Sequence, residues 1–159
     1  TNRSNDMLWG AYGANVVHMS FLQEWMAAAV GLPVGDYYQF SNNFHLYTDN
    51  EMVQKLLETP PTSSYDFYST DLAWPLAILQ EGEDAEQFLF QCQRFVSLPD
   101  EVPEGNYFLR NVAHPLRMAY NARKAGQPWR QHLEPIPQCD WKLAFTQWTD
   151  RREQPNESQ

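Results

Sequence analysis

The sequence predicts an α+β fold, in which a long buried helix lies against a sheet and a mostly helical segment follows. Three observations carry that expectation. Apolar residues keep a three-or-four spacing from Asn15 to Val30, the period of one helix face. Two short runs rich in Tyr and Phe, Val34–Ser41 and Phe44–Tyr47, come next and have the composition of strands. Beyond residue 62 the longer apolar patterns are again helical.

In chain order, the run W-G-A-Y-G from Trp9 to Gly13 mixes aromatics with glycine, the mark of a backbone that turns or approaches something closely. Val16, Met19, Leu22, Met26 and Ala29 then form the seam of the first helix, and Gly31 with Pro33 stops it. Its polar face is short (His18, Ser20, Gln23, Glu24), so most of this helix is expected to be buried. Thr48 with Glu51 has the spacing of a capping box and predicts a helix over Asp49–Glu58, ended by Pro60-Pro61. Residues 62–71 read as an aromatic loop. Ala85, Phe88, Leu89, Cys92, Phe95 and Val96 predict a helix over Asp84–Val96. Phe108–Ala125 is helical in pattern, but Pro115 must kink it or begin a second helix, and Gly126 supplies a stop. Asp140 is placed to cap a last helix to about Arg152, with Trp141, Leu143, Ala144 and Trp148 on its apolar side. The expected organisation is a segment 1–61, a mostly helical segment 62–153 of the same domain, and a frayed tail 154–159.

The 159 residues are 43% hydrophobic, 14% aromatic and 19% charged, enough apolar matter for one sizeable core and too much aromatic content for disorder. Eleven basic residues against twenty acidic ones leave a net charge of −9, which argues against nucleic acid or an anionic membrane as a partner. A small anion held by a few local arginines is compatible with that field. No apolar run approaches the roughly 18–20 residues needed to span a bilayer. Cys92 and Cys139 stand far apart without metal or disulfide spacing, and no signal peptide is visible, so the expected location is the cytoplasm and no metal is expected. The chain opens at Thr1 directly into a dense motif and reads like a piece of something longer.

Charge is uneven. Residues 81–104 hold seven acids and one Arg, whereas 105–133 hold five basic residues and no acid. Arg110, Arg117 and Lys124 recur every seven residues, which reads either as a basic helix packed beside an acidic one or as an anion-binding face.

The chemistry-bearing residues are concentrated before Pro61. Arg3 and Ser4 put a guanidinium fork and a hydroxyl together, next to Asp6, and suit a phosphate. Asn15 carries a carboxamide that both donates and accepts, and so suits a pyrimidine edge or a helix cap. His45 and Tyr47, two apart in an extended run, share a face; they suit a sugar hydroxyl or an ordinary core.

Together, R-S-N-D-M-L-W-G-A-Y-G-A-N, the helix, G-L-P-V-G-D-Y-Y and S-N-N-F-H-L-Y resemble the C-terminal half of the thymidylate synthase family, which includes the pyrimidine nucleotide hydroxymethylases, some of them from phages. The resemblance runs from Asn2 to about Pro61. It implies that Arg3 and Ser4 bind a nucleotide 5′-phosphate, that Asp6 positions folate and ordered water, and that Asn15 hydrogen-bonds a uracil ring. It further implies that His45 and Tyr47 bind the deoxyribose 3′-hydroxyl, with Gly35 and Asp36 opening the corresponding strand. Cytosine-specific relatives carry Asp at the position of Asn15, so the implied substrate is dUMP. The implied cofactor is 5,10-methylenetetrahydrofolate, and the implied partner is a second copy or the N-terminal half of the family's fold.

The chain departs from the family pattern in two ways. One extra residue separates Asp6 from Asn15. The family's nucleophile, a Cys in a P-C-H context roughly twenty residues before R-S-x-D, attacks C6 of the pyrimidine, and the chain begins two residues before Arg3. Cys139 precedes an expected helix N-terminus, which lowers a thiol pKa, but reads more simply as a packed thiol, and Cys92 reads as core. Two expectations follow. One is the C-terminal portion of an enzyme that transfers a one-carbon unit to C5 of a pyrimidine deoxynucleotide, giving a methyl or hydroxymethyl product. The other is a catalytically inactive nucleotide-binding or partner-binding protein derived from that family.

Overall fold

The computed structural model describes residues 5–60 and 74–153. Arg3, Ser4, the loop 62–71 and the tail 154–159 lie outside them. The chain forms two compact units, one within Thr1–Tyr65 and one within Asp66–Gln159.

The first unit begins with strand β1 (Asn5–Asp6), which pairs in parallel with β2 (Phe44–His45); Asn5 stands opposite Phe44 and Asp6 opposite His45. Between them lies α1, Ala14–Val30. Gly31, in the left-handed region at φ 69°, closes it, with its N–H on the carbonyls of Ala27 and Ala28. From β1 the chain enters α1 through a π-helical turn, Met7–Ala11, closed by Tyr12 N–H donating to the Met7 carbonyl at 3.1 Å. A π turn winds one more residue per turn than an α turn. It therefore takes up the extra residue between Asp6 and Asn15 without lengthening the connection. Gly13 is required at the join, because a Cβ there would meet the carbonyl oxygens of Leu8 at 2.5 Å and Trp9 at 2.7 Å.

Three expectations for this unit are corrected. The first helix has no buried residue; of its seam, Val16 and Met19 are half-buried, while Leu22, Met26 and Ala29 are exposed, Leu22 and Met26 at 45% and 52%. Its periodicity is real, but burial needs an opposing surface, and the described residues leave the C-terminal part of that stripe uncovered. The run Val34–Ser41 forms no strand. Backbone N–H and C=O groups make a strand only where a neighbouring strand receives them. Here Gln23 Nε2 instead tethers the run through the carbonyls of Gly35, at 2.9 Å, and Asp36, at 3.2 Å. Helix α2 (Glu51–Glu58) is capped by Asn50, whose Oδ1 accepts from Met52 N–H at 2.8 Å, and not by Thr48.

The second unit holds most of the core. Helix α3 (Ala85–Ser97) starts on Asp84, whose carboxylate accepts from Gln87 N–H, and buries Ala85 and Phe88. Pro115 is the second residue of α4 (His114–Lys124) and neither ends the helix nor opens it after a loop, because the backbone at Ala113 is already helical. The run leading into α4 is π-helical, Leu109–Ala113. It begins on Asn106, which is buried and satisfied: Nδ2 donates to the Ile78 carbonyl and to Glu83, and Oδ1 accepts from Leu109 N–H at 2.8 Å. A single 3₁₀ turn, Arg130–Leu133, leads on to α5, Asp140–Glu153. Asp140 does act at that helix start, accepting from Leu76 N–H at 3.2 Å and Trp141 N–H at 3.0 Å. Ile78, Phe108, Val112, Leu133 and Ile136 complete the interior.

The basic and acidic stretches pack together. The Arg117 guanidinium stacks 3.6 Å above the centre of the Phe95 ring and donates to the Phe95 carbonyl, joining α4 to α3. Burial holds its pKa below the ordinary arginine value.

Candidate functional site

Of the residues singled out by the sequence, Asp6, Asn15, His45 and Tyr47 lie within the described residues, at or near β1 and its partner strand; Arg3 and Ser4 lie outside them. Asp6 is nearly buried, and its Oδ1 accepts from Trp9 N–H at 2.8 Å, which caps the π-helical turn and fixes the carboxylate. Its cross-strand partner is His45. The His45 ring meets the Tyr47 ring edge to face, with centroids 5.0 Å apart, so the two do share a side of the chain. His45 Nδ1 lies 3.2 Å from the Asn43 carbonyl. A carbonyl only accepts, so that contact places the proton on Nδ1 and leaves Nε2 as an acceptor.

Asn15 sits inside the first turn of α1 rather than at its cap, which is Gly13. Its Nδ2 donates to Asn5 Oδ1 at 3.3 Å, tying the helix start back to β1. Asn5 occupies the variable position of R-S-x-D, which the motif does not mark. Its signal is visible only in three dimensions, in the contact with Asn15. Asn5 and Phe44, opposite each other in the ladder, border an open cleft of about 420 Å³ with Tyr12, Tyr37 and Gln39. Asp6, His45 and Tyr47 are thus brought together, and Asn15 joins them through Asn5. Asp36 does not join them; it accepts from the Tyr38 hydroxyl at 3.1 Å.

The thiols lie elsewhere. Cys139 is 1% exposed, in a parallel bridge with Trp74. Cys92 is half-buried rather than core, and burial pushes its pKa up, away from a reactive thiolate. Among the described residues no group of His, Cys, Asp or Glu has the arrangement of a metal site, and no helix is long and apolar enough to cross a membrane.

The chain is similar to curated proteins named deoxyuridylate hydroxymethyltransferase, in agreement with the resemblance its motifs carry. It is 38% identical over 166 residues to a deoxyuridylate hydroxymethyltransferase of Pseudomonas phage M6, a match covering 96% of this chain and 46% of that protein. A protein of the same name from Bacillus phage SP01 is 47% identical over 49 residues, 31% of this chain and 13% of the relative. The chain therefore spans less than half the length of these curated relatives. The first match runs through nearly the whole chain, so the second unit is shared with the Pseudomonas phage protein as well. No protein-family model matches the chain, and no solved structure does.

Proposed function

We propose that this chain carries the nucleotide-binding part of an enzyme that transfers a hydroxymethyl group to C5 of dUMP. One observation carries the reading: the strand that follows Arg3 and Ser4 pairs directly with the strand of His45. In this reading Arg3 and Ser4 hold the 5′-phosphate, and His45 Nε2 with the Tyr47 hydroxyl holds the 3′-hydroxyl. Asn15 reads the uracil edge. Asp6, locked by Trp9 N–H, is the fixed carboxylate that orients water and cofactor at the ring. A rigidly held, nearly buried carboxylate fits a positioning role toward 5,10-methylenetetrahydrofolate. When bound, that cofactor supplies the one-carbon unit. The hydroxymethyl outcome is favoured over methyl by the names of the relatives.

The nucleophile and the covering of α1 come, in this reading, from the remaining part of such an enzyme, which packs on Leu22, Met26 and Val30. The two thiols of the chain favour keeping a second reading, nucleotide binding without chemistry, because both lie in the other unit and one is buried.

The test is calorimetric binding of dUMP and deoxyuridine to the chain and to Arg3→Ala. A hydrogen bond to a charged group is worth about 1.5–3 kcal/mol, or roughly 10–150-fold in affinity. Arg3→Ala is expected to weaken dUMP by such a factor and deoxyuridine little. Equal losses for both would remove Arg3 from the phosphate. Release of tritium from C5-labelled dUMP separates the two readings: the enzymatic reading expects release once the unmatched portion of the Pseudomonas phage protein is added, and the binding-only reading expects none.

A further inference from the structure

Asn5, Gly10 and Asn15 form an arrangement that the motif does not explain. Asn15 Nδ2 donates to Asn5 Oδ1 at 3.3 Å. Gly10 lies directly against that bond: a Cβ there would stand 2.7 Å from Asn5 Oδ1 and 2.9 Å from Asn15 Nδ2, closer than side-chain atoms pack. Gly10 also belongs to the π-helical turn that takes up the extra residue before Asn15.

An unconstrained asparagine amide reads two bases. In one orientation Oδ1 accepts from uracil N3–H and Nδ2 donates to uracil O4. Rotated by half a turn about χ2, the same amide donates to cytosine N3 and accepts from the cytosine N4 amino group. Asparagine alone therefore does not separate the two. The Asn5 carbonyl oxygen beside Nδ2 biases that choice, because turning Asn15 alone would set its Oδ1 against Asn5 Oδ1, and the opposite reading requires both amides to turn together. Nδ2 carries two hydrogens, so its bond to Asn5 is compatible with a second donation to O4.

We propose that Asn5, with the space kept by Gly10, is a positioning residue that biases the Asn15 amide toward its uracil-reading orientation and so favours dUMP over dCMP. The inference rests on the reading of Asn15 as the base-contacting residue.

The experiment measures dissociation constants of the 159-residue chain for dUMP and dCMP, in the unchanged protein and in Asn5→Ala, Gly10→Ala and Asn5→Asp. Asn5→Ala and Gly10→Ala are expected to cut the dUMP:dCMP preference by about tenfold, equivalent to about 1.4 kcal/mol. Asn5→Asp, whose carboxylate only accepts, is expected to keep or raise it. A purely structural role would weaken both nucleotides alike. A ratio that stays within about twofold of the unchanged chain in both alanine variants overturns the proposal. Should Gly10→Ala disrupt the turn, the two Asn5 variants carry the test, joined by the Asn15 side-chain amide signals in NMR without ligand. Those signals are expected to move in Asn5→Ala, and an unmoved signal there also overturns the proposal. Failure of the functional reading has a different signature: the unchanged chain then binds neither nucleotide, and the specificity claim falls with it.

Discussion

The two units of this chain divide the burdens of a protein unequally. The first bears the family motifs, yet Val53 is its only fully buried apolar side chain among the described residues. The second has no recognised chemical motif, yet Ile78, Phe88, Phe108, Leu109, Val112, Leu133 and Ile136 all pack inside it. The long helix makes the contrast plain. Of its residues only Glu24 is an acid or a base of fixed charge, a composition that suits burial on every side, yet Leu22, Met26 and Ala29 of its apolar seam are exposed. Residues that bind a ligand need a scaffold to hold them, and here the scaffold of the first unit is incomplete within the described residues.

The comparison is broken most directly by substituting one apolar residue in each unit. Phe88→Ala, at a position 2% exposed, is expected to cost about 3–5 kcal/mol in the unfolding of the second unit. Leu22→Ala in α1 is expected to change stability by no more than about 0.5 kcal/mol, because little is lost from a side chain already in water. Denaturant unfolding followed unit by unit, by hydrogen exchange, checks both. Similar costs would mean that α1 is covered.

A smaller effect sharpens the picture within the first unit. Asn50→Ala removes the cap of α2 and is expected to cost about 1 kcal/mol, seen as faster exchange of the Met52 and Val53 amides. Thr48→Ala is expected to leave those amides unchanged, since the Thr48 backbone carbonyl, which accepts from Gln54 Nε2, survives the substitution.

The smallest effect belongs to the second unit. Burial, then the Arg117 guanidinium 3.5 Å away, holds the His114 pKa below its ordinary 6.5. The unfolded chain then takes up a proton at a higher pH than the folded one does. The stability tied to His114 is therefore whole above pH 6.5 and declines as pH falls from there toward the lowered folded value. His114→Gln should flatten that part of the pH–stability curve, and an unaltered slope would show that His114 does not produce it.

Local features of the chain were legible in the sequence, and distant ones were legible only through family resemblance. Helices α1, α3, α4 and α5 follow from apolar periodicity, from Asp140 at a helix start and from Pro115 as the place where a second helix begins, all of which act within a few residues. The pairing of Asn5 with Phe44 joins residues far apart in sequence, and no periodic pattern announces a two-residue strand. The π-helical turn leaves no repeating signature, although the extra residue before Asn15 was its trace. Exposure of the α1 seam was misread because periodicity reports which face is apolar, and not whether anything lies against it. Asn50 displaced Thr48 as the cap because both suit the position by chemistry, and only backbone geometry chooses between them.

Among the described residues the motif-bearing unit leaves much of its long helix uncovered, whereas the second unit encloses a core of its own. Amide hydrogen exchange of the isolated 159-residue chain tests it most directly, by comparing α1 with α4. The account predicts that amides along the Met19–Val30 seam exchange far faster than those around Ala119 and Ala122. Protection of α1 equal to that of α4 would contradict it.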